Sequence, residues 1–253
     1  MAKKKMSITT KVLIGLLIGL ITGIIVYNLP SGVFKDKILI NGIFQLLGQV
    51  FLRGIMMLVV PLVFVSLVNG TASIGDVKKL GRVGAKTIAF YLVTTAVAII
   101  LALILGYFFK PGVGIDLSAV EVVEPTINER TSVVQILYEM VPTNPISAMA
   151  NGSMLQIIVF AIITGVGISL LGPKAEFVQK LFVSLNDLIM KLVEIVMLFA
   201  PIGVFGLVAK TFATVGYRLM IPLMKYIILV YVGLIIHAVV VYGTLLKRFA
   251  KLS

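Results

Sequence analysis

The chain has 253 residues, of which 60% are hydrophobic and 13% are charged, and its formal net charge is +12. A soluble domain is typically about half apolar and a quarter charged, so this composition excludes an ordinary soluble protein. The apolar residues come in long runs, and a membrane-spanning helix needs about 20 mostly apolar residues. We therefore predict an all-α integral membrane protein.

Six apolar runs predict six transmembrane helices, at about residues 12–29, 40–68, 84–109, 133–172, 181–209 and 219–246. The basic residues form no stripe with interleaved aromatic residues, so the positive charge does not indicate a nucleic-acid partner. They concentrate instead before the first run and after the second, fourth and sixth. The positive-inside rule then places both termini in the cytoplasm, and we expect a multi-pass protein of the cell (inner) membrane.

The fourth run begins with VPTNPISAMANG at residues 141–152, a sequence rich in helix breakers. Pro142 and Pro145 should end one helix and start another, and Asn151 with Gly152 interrupts the chain again. We therefore expect the fourth helix to be broken into three pieces. Irregular backbone at membrane depth has to be covered by protein or line a water-filled cavity, so this segment should lie against other helices or a neighbouring subunit.

The chain offers little for catalysis. It has one histidine and no cysteine, and its apolar runs show no arrangement suited to hydrolysis or to zinc. We therefore expect that the protein is not an enzyme and binds no prosthetic group. The histidine, His237 in GLIIHAVVVY, is either a proton carrier within the membrane or a polar side chain that hydrogen-bonds a neighbouring helix.

Three hydroxyl-bearing residues stand in the third run, within AFYLVTTAVA at residues 89–98. Tyr91, Thr94 and Thr95 are spaced i, i+3 and i+4, so they share one face of a helix. Threonine in a membrane helix often bonds its own i−4 carbonyl, which would make these residues ordinary packing contacts. Hydroxyl oxygens also suit a hard cation, so the three residues are candidates for part of a cation site.

Several blocks of the sequence together resemble the dicarboxylate/amino acid:cation symporters, the glutamate transporter homologues. They are FLRGIMMLVVPLVFVSLVNGTASIGDVKKLGRVGAKT at 51–87, VPTNPISAMANG at 141–152 and FAPIGVFGLVAKT at 199–211. The resemblance covers nearly the whole chain. It implies a homotrimeric secondary active transporter that takes up an acidic amino acid or a C4-dicarboxylate together with sodium or protons, by an elevator motion.

The resemblance also implies that different helices belong to two different domains. Residues of about 12–68 and 133–209 would form a scaffold with the trimer contact, and those of about 84–109 and 219–246 would ride with the transport domain. Tyr91, Thr94 and Thr95 match a Tyr-x-x-Thr-Ser/Thr motif that supplies hydroxyl ligands to a sodium site in the family. Whether the coupling ion is sodium or a proton stays open.

The sequence departs from the family pattern after the sixth helix. Chains of the family continue with a serine-rich hairpin, an NMDGT-like motif, a second hairpin and a last helix with substrate ligands, and these are absent from the sequence. We therefore expect the N-terminal portion of a symporter that is inactive alone, with its substrate site in the missing part. The alternatives are a non-transporting scaffold or assembly subunit that trimerises or joins full-length homologues, and a complete six-helix carrier that uses Tyr91, Thr94, Thr95 and His237.

Overall fold

The computed structural model describes residues 6–73, 77–112, 132–217 and 220–250, and the regular structure within these ranges is helical. The α-helices are α1 (Ile8–Tyr27), α2 (Gln45–Ala72), α3 (Val77–Phe109), α4 (Val133–Glu139), α5 (Pro145–Ala150), α6 (Met154–Leu171), α7 (Glu176–Leu198), α8 (Ala200–Val215), α9 (Met220–Ile236) and α10 (Gly243–Leu245). Three segments are π-helical, Val33–Phe44, His237–Tyr242 and Leu246–Ala250, and Gly172–Ala175 forms a 3-10 turn. The prediction of an all-helical protein is confirmed for the residues in these ranges.

The chain divides into two compact units. Unit 1 consists of Met1–Leu80 and Glu124–Gly216, and unit 2 of Gly81–Val123 and Tyr217–Ser253. Unit 1 therefore holds α1, α2 and α4 to α8, whereas unit 2 holds most of α3 together with α9 and α10. Each unit joins segments that are distant in the sequence.

Five helical stretches within the described ranges are long and apolar enough to cross a membrane: Ile8–Tyr27, Val33–Ala72, Lys86–Phe109, Met154–Leu198 and Pro222–Arg248. The helix α8 is apolar but shorter. The stretch Met154–Leu198 contains α6, the 3-10 turn Gly172–Ala175 and α7. It therefore overlaps both the fourth predicted span, at 133–172, and the fifth, at 181–209. The number of six spans stays a prediction.

The helices α1 and α8 of unit 1 pack backbone against backbone. Gly15, Gly19 and Gly23 recur every four residues and so lie on one face of α1. A Cβ atom at Gly19 would lie 2.7 Å from the carbonyl oxygen of Phe205, and one at Gly23 would lie 2.8 Å from that of Ala209. Small residues are what allow two membrane helices to approach so closely.

The helix α2 contacts α6, α7 and α8 and forms the centre of unit 1. Its Phe64 ring stacks on Phe160 of α6 at a centroid distance of 5.7 Å and meets the Phe182 ring of α7 edge to face at 5.9 Å. Val68, one turn further along, is fully buried. Aromatic packing of this kind stabilises the contact beyond the area it buries.

Two breaks separate the short helices α4 and α5 from each other and from α6. A side-chain cap occurs at the first break and a glycine at the second. The Asn144 side-chain oxygen accepts hydrogen bonds from the backbone N–H groups of Ile146, at 2.9 Å, and Ser147, at 3.1 Å. This is an N-cap, and Pro145 follows it at the first helical position. Between α5 and α6, Gly152 has a φ of +66°, a conformation that glycine adopts without strain.

We predict that Gly19→Leu destabilises unit 1, because the new side chain has to push α1 away from the α8 backbone. Overpacking of this kind costs about 1–3 kcal/mol. The measurement is thermal unfolding of the purified chain in detergent, followed by circular dichroism. The matched control is Gly70→Leu in α2, where no described atom lies within 4 Å of an added Cβ. Equal stability of the two variants would contradict the packing described for α1 and α8.

Candidate cation-binding site

The helix α3 places the three predicted site residues in different surroundings. Thr94 is 7% exposed, and among the residues of unit 2 whose burial the structure describes it is the one that is buried. Thr95 is half-buried, whereas Tyr91 is 68% exposed. A polar side chain therefore occupies the most protected position that the structure describes in this unit.

The hydroxyl of Thr94 is bonded to its own helix. Its Oγ1 donates to the carbonyl oxygens of Phe90, at 2.9 Å, and Tyr91, at 3.1 Å. The same i−4 bond is made by Thr71, Thr164, Thr211, Thr214 and Thr244, so it does not by itself distinguish a ligand. This hydrogen bond uses the hydroxyl proton. The lone pairs of the oxygen atom can therefore accept a hydrogen bond from a donor or coordinate a cation.

Thr94 and Thr95 line one open pocket of unit 2 with a volume of about 280 Å³. The other lining residues are Ala98, Ile99, Ala102, His237 and Tyr242. Tyr91 is not among them, because it lies one helical turn earlier on α3. The structure thus brings together Thr94, Thr95 and His237, which the alternative of a six-helix carrier also groups. It adds Tyr242, which the sequence did not connect with them.

The π-helical segment His237–Tyr242, which follows α9, contributes the other wall of the pocket. The His237 and Tyr242 rings meet edge to face, with centroids 4.9 Å apart and planes at 77°. The two rings therefore pack against each other. The sequence shows that His237 and Tyr242 are polar residues in an otherwise apolar run. It does not show which helix they face.

The oxygen atoms that line the pocket are neutral. Among its described lining residues there are hydroxyls at Thr94, Thr95 and Tyr242 and no carboxylate. The described part of the chain also contains no group of three or more His, Cys, Asp and Glu residues that could hold a metal ion. Neutral oxygen ligands suit a hard cation of low charge, and these three hydroxyls are the side-chain oxygen atoms that the pocket offers.

A second pocket of about 350 Å³ lies between α3 and α9, and its lining is largely apolar. His237 and Tyr226 are the titratable residues that line it, and His237 thus belongs to both pockets of unit 2. A Cβ atom at Gly233 of α9 would lie 3.2 Å from the Leu105 side chain of α3. The two helices are therefore in contact beside the histidine.

Unit 1 carries a polar groove that we did not identify from the sequence. Asn41, Gln45, Gln49 and Arg53 follow one another every four residues and line an open groove of about 670 Å³. The Lys210 ammonium of α8 donates to the Gln45 side-chain oxygen at 3.3 Å. The signal was the four-residue spacing of polar side chains within an apolar run.

Sequence comparison identifies the family to which these units belong. The family described as Sodium:dicarboxylate symporter family matches residues 8–253. The chain is a member of this family. The resemblance noted in its sequence blocks is thereby confirmed, and with it a multi-pass membrane protein of a transporter family.

Curated relatives of this symporter family member cover nearly all of the chain. The proton/sodium-glutamate symport protein of Geobacillus stearothermophilus is 34% identical over an alignment that covers 97% of this chain and 58% of the relative. The proton/glutamate-aspartate symporter of Escherichia coli (strain K12) is 35% identical over 98% of this chain and 58% of its own length. The C4-dicarboxylate transport protein of Bacillus subtilis (strain 168) is 30% identical over 96% and 56%. The chain thus spans less than two thirds of these relatives.

We predict that a thiol at position 94 reacts more slowly than one at position 95. The chain has no cysteine, so the single variants Thr94→Cys and Thr95→Cys can be labelled without background. Both residues line the same open pocket, and burial slows the reaction of a thiol, so the Thr94→Cys variant should react more slowly by about tenfold or more. Mass spectrometry of the chain in lipid nanodiscs, after timed exposure to a small maleimide, measures the rates. Equal rates at the two positions would contradict the burial described for Thr94.

Proposed function

We propose that the chain is the N-terminal portion of a secondary active transporter that couples uptake of an acidic amino acid or C4-dicarboxylate to sodium or protons by an elevator mechanism. The names of the relatives, which include glutamate, glutamate-aspartate and C4-dicarboxylate transporters, support the substrate class. The observation that carries the coupling is the hydroxyl-lined pocket around the buried Thr94. The 253 residues alone are proposed to be inactive, and their coverage of 58% of the Geobacillus stearothermophilus relative supports this.

The two units of the chain are proposed to serve different parts of this mechanism. Unit 1 would supply the scaffold and the contact of a homotrimer, and unit 2 the helices that travel with the transport domain. Two observations support this division. The boundaries of the units separate residues 12–68 and 133–209 from residues 84–109 and 219–246. In addition, glycine residues allow α1 and α8 of unit 1 to pack closely against each other. Native mass spectrometry of the chain in nanodiscs tests the trimer, and a monomer would contradict it.

We further propose six spans in the inner membrane with both termini in the cytoplasm. The fourth span would comprise α4, α5 and α6, and the fifth would comprise α7 and α8. The breaks at Asn144 and Gly152 support the first assignment, since both have satisfied or unstrained backbone. The concentration of lysine and arginine at alternate ends of the apolar runs supports the orientation.

The proposed cation wall consists of Thr94 and Thr95, with Tyr91 completing the motif one turn earlier. The two threonines offer neutral oxygen atoms to a shared pocket, which supports sodium as a ligand. The coupling ion remains sodium or a proton at the level of the whole transporter.

We predict that sodium stabilises the wild-type chain and does not stabilise the double variant Thr94→Val, Thr95→Val. A ligand at roughly ten times its dissociation constant adds about 1.4 kcal/mol to the free energy of unfolding. The measurement compares thermal unfolding in sodium chloride and in choline chloride at equal ionic strength. The matched control is Thr164→Val in unit 1, which removes a threonine with the same i−4 hydrogen bond and lies outside the pocket. A sodium effect that survives in the double variant would return both threonines to ordinary packing.

A chimera tests transport itself. The chain would be joined to the C-terminal part of the Geobacillus stearothermophilus symport protein and reconstituted in proteoliposomes with an inward sodium or proton gradient. We expect uptake of radiolabelled glutamate, aspartate or succinate by the chimera and none by the 253-residue chain. The relative in full length is the positive control. A well-folded chimera that carried none of these substrates under either gradient would refute the proposed function, and uptake by the 253-residue chain would refute its inactivity.

A further inference from the structure

The two pockets of unit 2 adjoin, and their linings differ in character. Ala98, Ala102 and His237 line both of them. The larger one, of about 350 Å³, is mostly apolar, and α3 lines it from Ala98 to Pro111 and α9 from Tyr226 to Leu234; we call it the apolar slot. The smaller one, of about 280 Å³, carries three side-chain hydroxyls; we call it the hydroxyl pocket. A molecule with an apolar tail and a polar end would find matching surroundings for both parts here.

The length of the apolar slot matches that of one lipid chain. Tyr226 and His237 both line it, and eleven residues of helix between them correspond to about 16 Å. The hydrocarbon core of a bilayer is about 30 Å thick, so one leaflet, the depth that a single acyl chain spans, is about 15 Å. Ligand pockets in proteins have volumes of about 300–1,000 Å³, and a slot at the lower end of this range favours one chain over the two of a phospholipid.

At the end of the slot that meets the hydroxyl pocket lies a polar atom without a partner. The Nδ1 atom of His237 is buried and makes no hydrogen bond to any residue that the structure describes. Native proteins leave few buried polar atoms unsatisfied, so this atom indicates a partner from outside the described chain. His237 also begins a π-helical segment, and single π-turns occur frequently at functional sites.

The charges around the two pockets restrict the polar end of the ligand. Neither pocket has an aspartate, glutamate, lysine or arginine among its described lining residues. A charged head group would therefore be buried without a counter-charge, which is costly. A hydroxyl group both donates and accepts, so it can bond Nδ1 of His237 in either tautomer and also the hydroxyls of Thr94, Thr95 and Tyr242.

We propose that the apolar slot and the hydroxyl pocket together bind a monoacylglycerol, a neutral lipid with one acyl chain and a hydroxylated head group. The chain lies between α3 and α9, and the glycerol head lies beside His237. The inference goes beyond the proposed transport function, and it does not rest on the cation role of the two threonines.

Photolabelling of the full chain in phosphatidylcholine nanodiscs tests the site. The probe is 1-monomyristoylglycerol with a diazirine in its acyl chain, and choline chloride replaces sodium chloride so that sodium does not contribute. We expect adducts, mapped by mass spectrometry, within residues 98–111 and 226–237, and their loss on addition of unlabelled 1-monomyristoylglycerol. Lysophosphatidic acid with the same chain, which adds one charged phosphate to the head, should compete at least about tenfold less well.

Two variants and a matched control separate the parts of the site. Gly106 lines the apolar slot, and an added Cβ there would meet no described atom within 4 Å. Gly106→Phe should therefore fill the slot and abolish the competed labelling. Gly243→Phe is the control, since Gly243 is a helical glycine of unit 2 with the same open space that does not line either pocket.

His237→Phe keeps an aromatic ring beside Tyr242 and removes Nδ1. The competing concentration of 1-monomyristoylglycerol should rise about tenfold in this variant, which is the effect of one lost hydrogen bond to a buried group. The lysophosphatidic acid should lose its disadvantage to a lesser degree or not at all, because the absence of a counter-charge is unchanged. An unchanged competing concentration would contradict the role of His237.

Three results would overturn the inference as a whole. They are adducts spread over the lipid-facing helices of both units that unlabelled probe does not displace, labelling that Gly106→Phe leaves unchanged, and equal competition by the charged lipid. The chimera with the C-terminal part of the Geobacillus stearothermophilus protein should give the same adducts as the chain. Labelling of the chain alone would show that the C-terminal part covers the slot, and would also overturn the inference. Uptake of substrate by the chimera is measured separately and decides the proposed function.

Discussion

In the hydrocarbon of a bilayer every backbone N–H and C=O group has to be bonded within the protein, and the described part of this chain is almost entirely helical. Long helices satisfy most of these groups, and side chains satisfy helix ends. The Asn144 side chain caps the first turn of α5. The Lys35 ammonium donates to the carbonyl oxygens of Tyr27, at 2.8 Å, and Leu29, at 2.9 Å, where α1 ends. At these two places the sequence supplies a side chain that bonds the backbone at a helix end.

The same constraint makes the two units, each taken by itself, different in character. Unit 1 buries apolar and small residues, such as Val68, Ala161 and Ala209, where helices meet at close range. In unit 2 the buried residue among those described is the polar Thr94, and the helices around it leave two pockets. Unit 1 is therefore stabilised mainly by close helix packing, whereas unit 2 leaves open space beside a buried hydroxyl.

The sequence predicted the helices well, because a run of about 20 apolar residues has few other solutions in a membrane protein. It also predicted the breaks around Asn144 and Gly152, since proline and glycine act on the local backbone. It did not predict that Tyr91 lies outside the pocket of Thr94 and Thr95. Helical spacing fixes the face on which a residue lies, but neighbouring elements decide which turn of that face they cover.

The surroundings of His237 could not be predicted from the sequence. A lone histidine in an apolar run could face lipid, another helix or a cavity, and the choice depends on contacts between residues that are more than a hundred positions apart. The polar groove around Gln45 is the opposite case. Its four-residue period was readable, and its pairing with Lys210 of α8 needed the tertiary structure.

The π-helical segment His237–Tyr242 has a consequence for how this region tolerates change in length. A π-turn accommodates one residue more than an α-turn, so a single deletion between the two rings would restore the tighter helix. Everything beyond it would then rotate by about 100° around the helix axis. The His237 and Tyr242 rings would then lose their contact although both residues remain in the chain. The length of this segment is therefore as informative in a comparison of related genes as the identity of its residues.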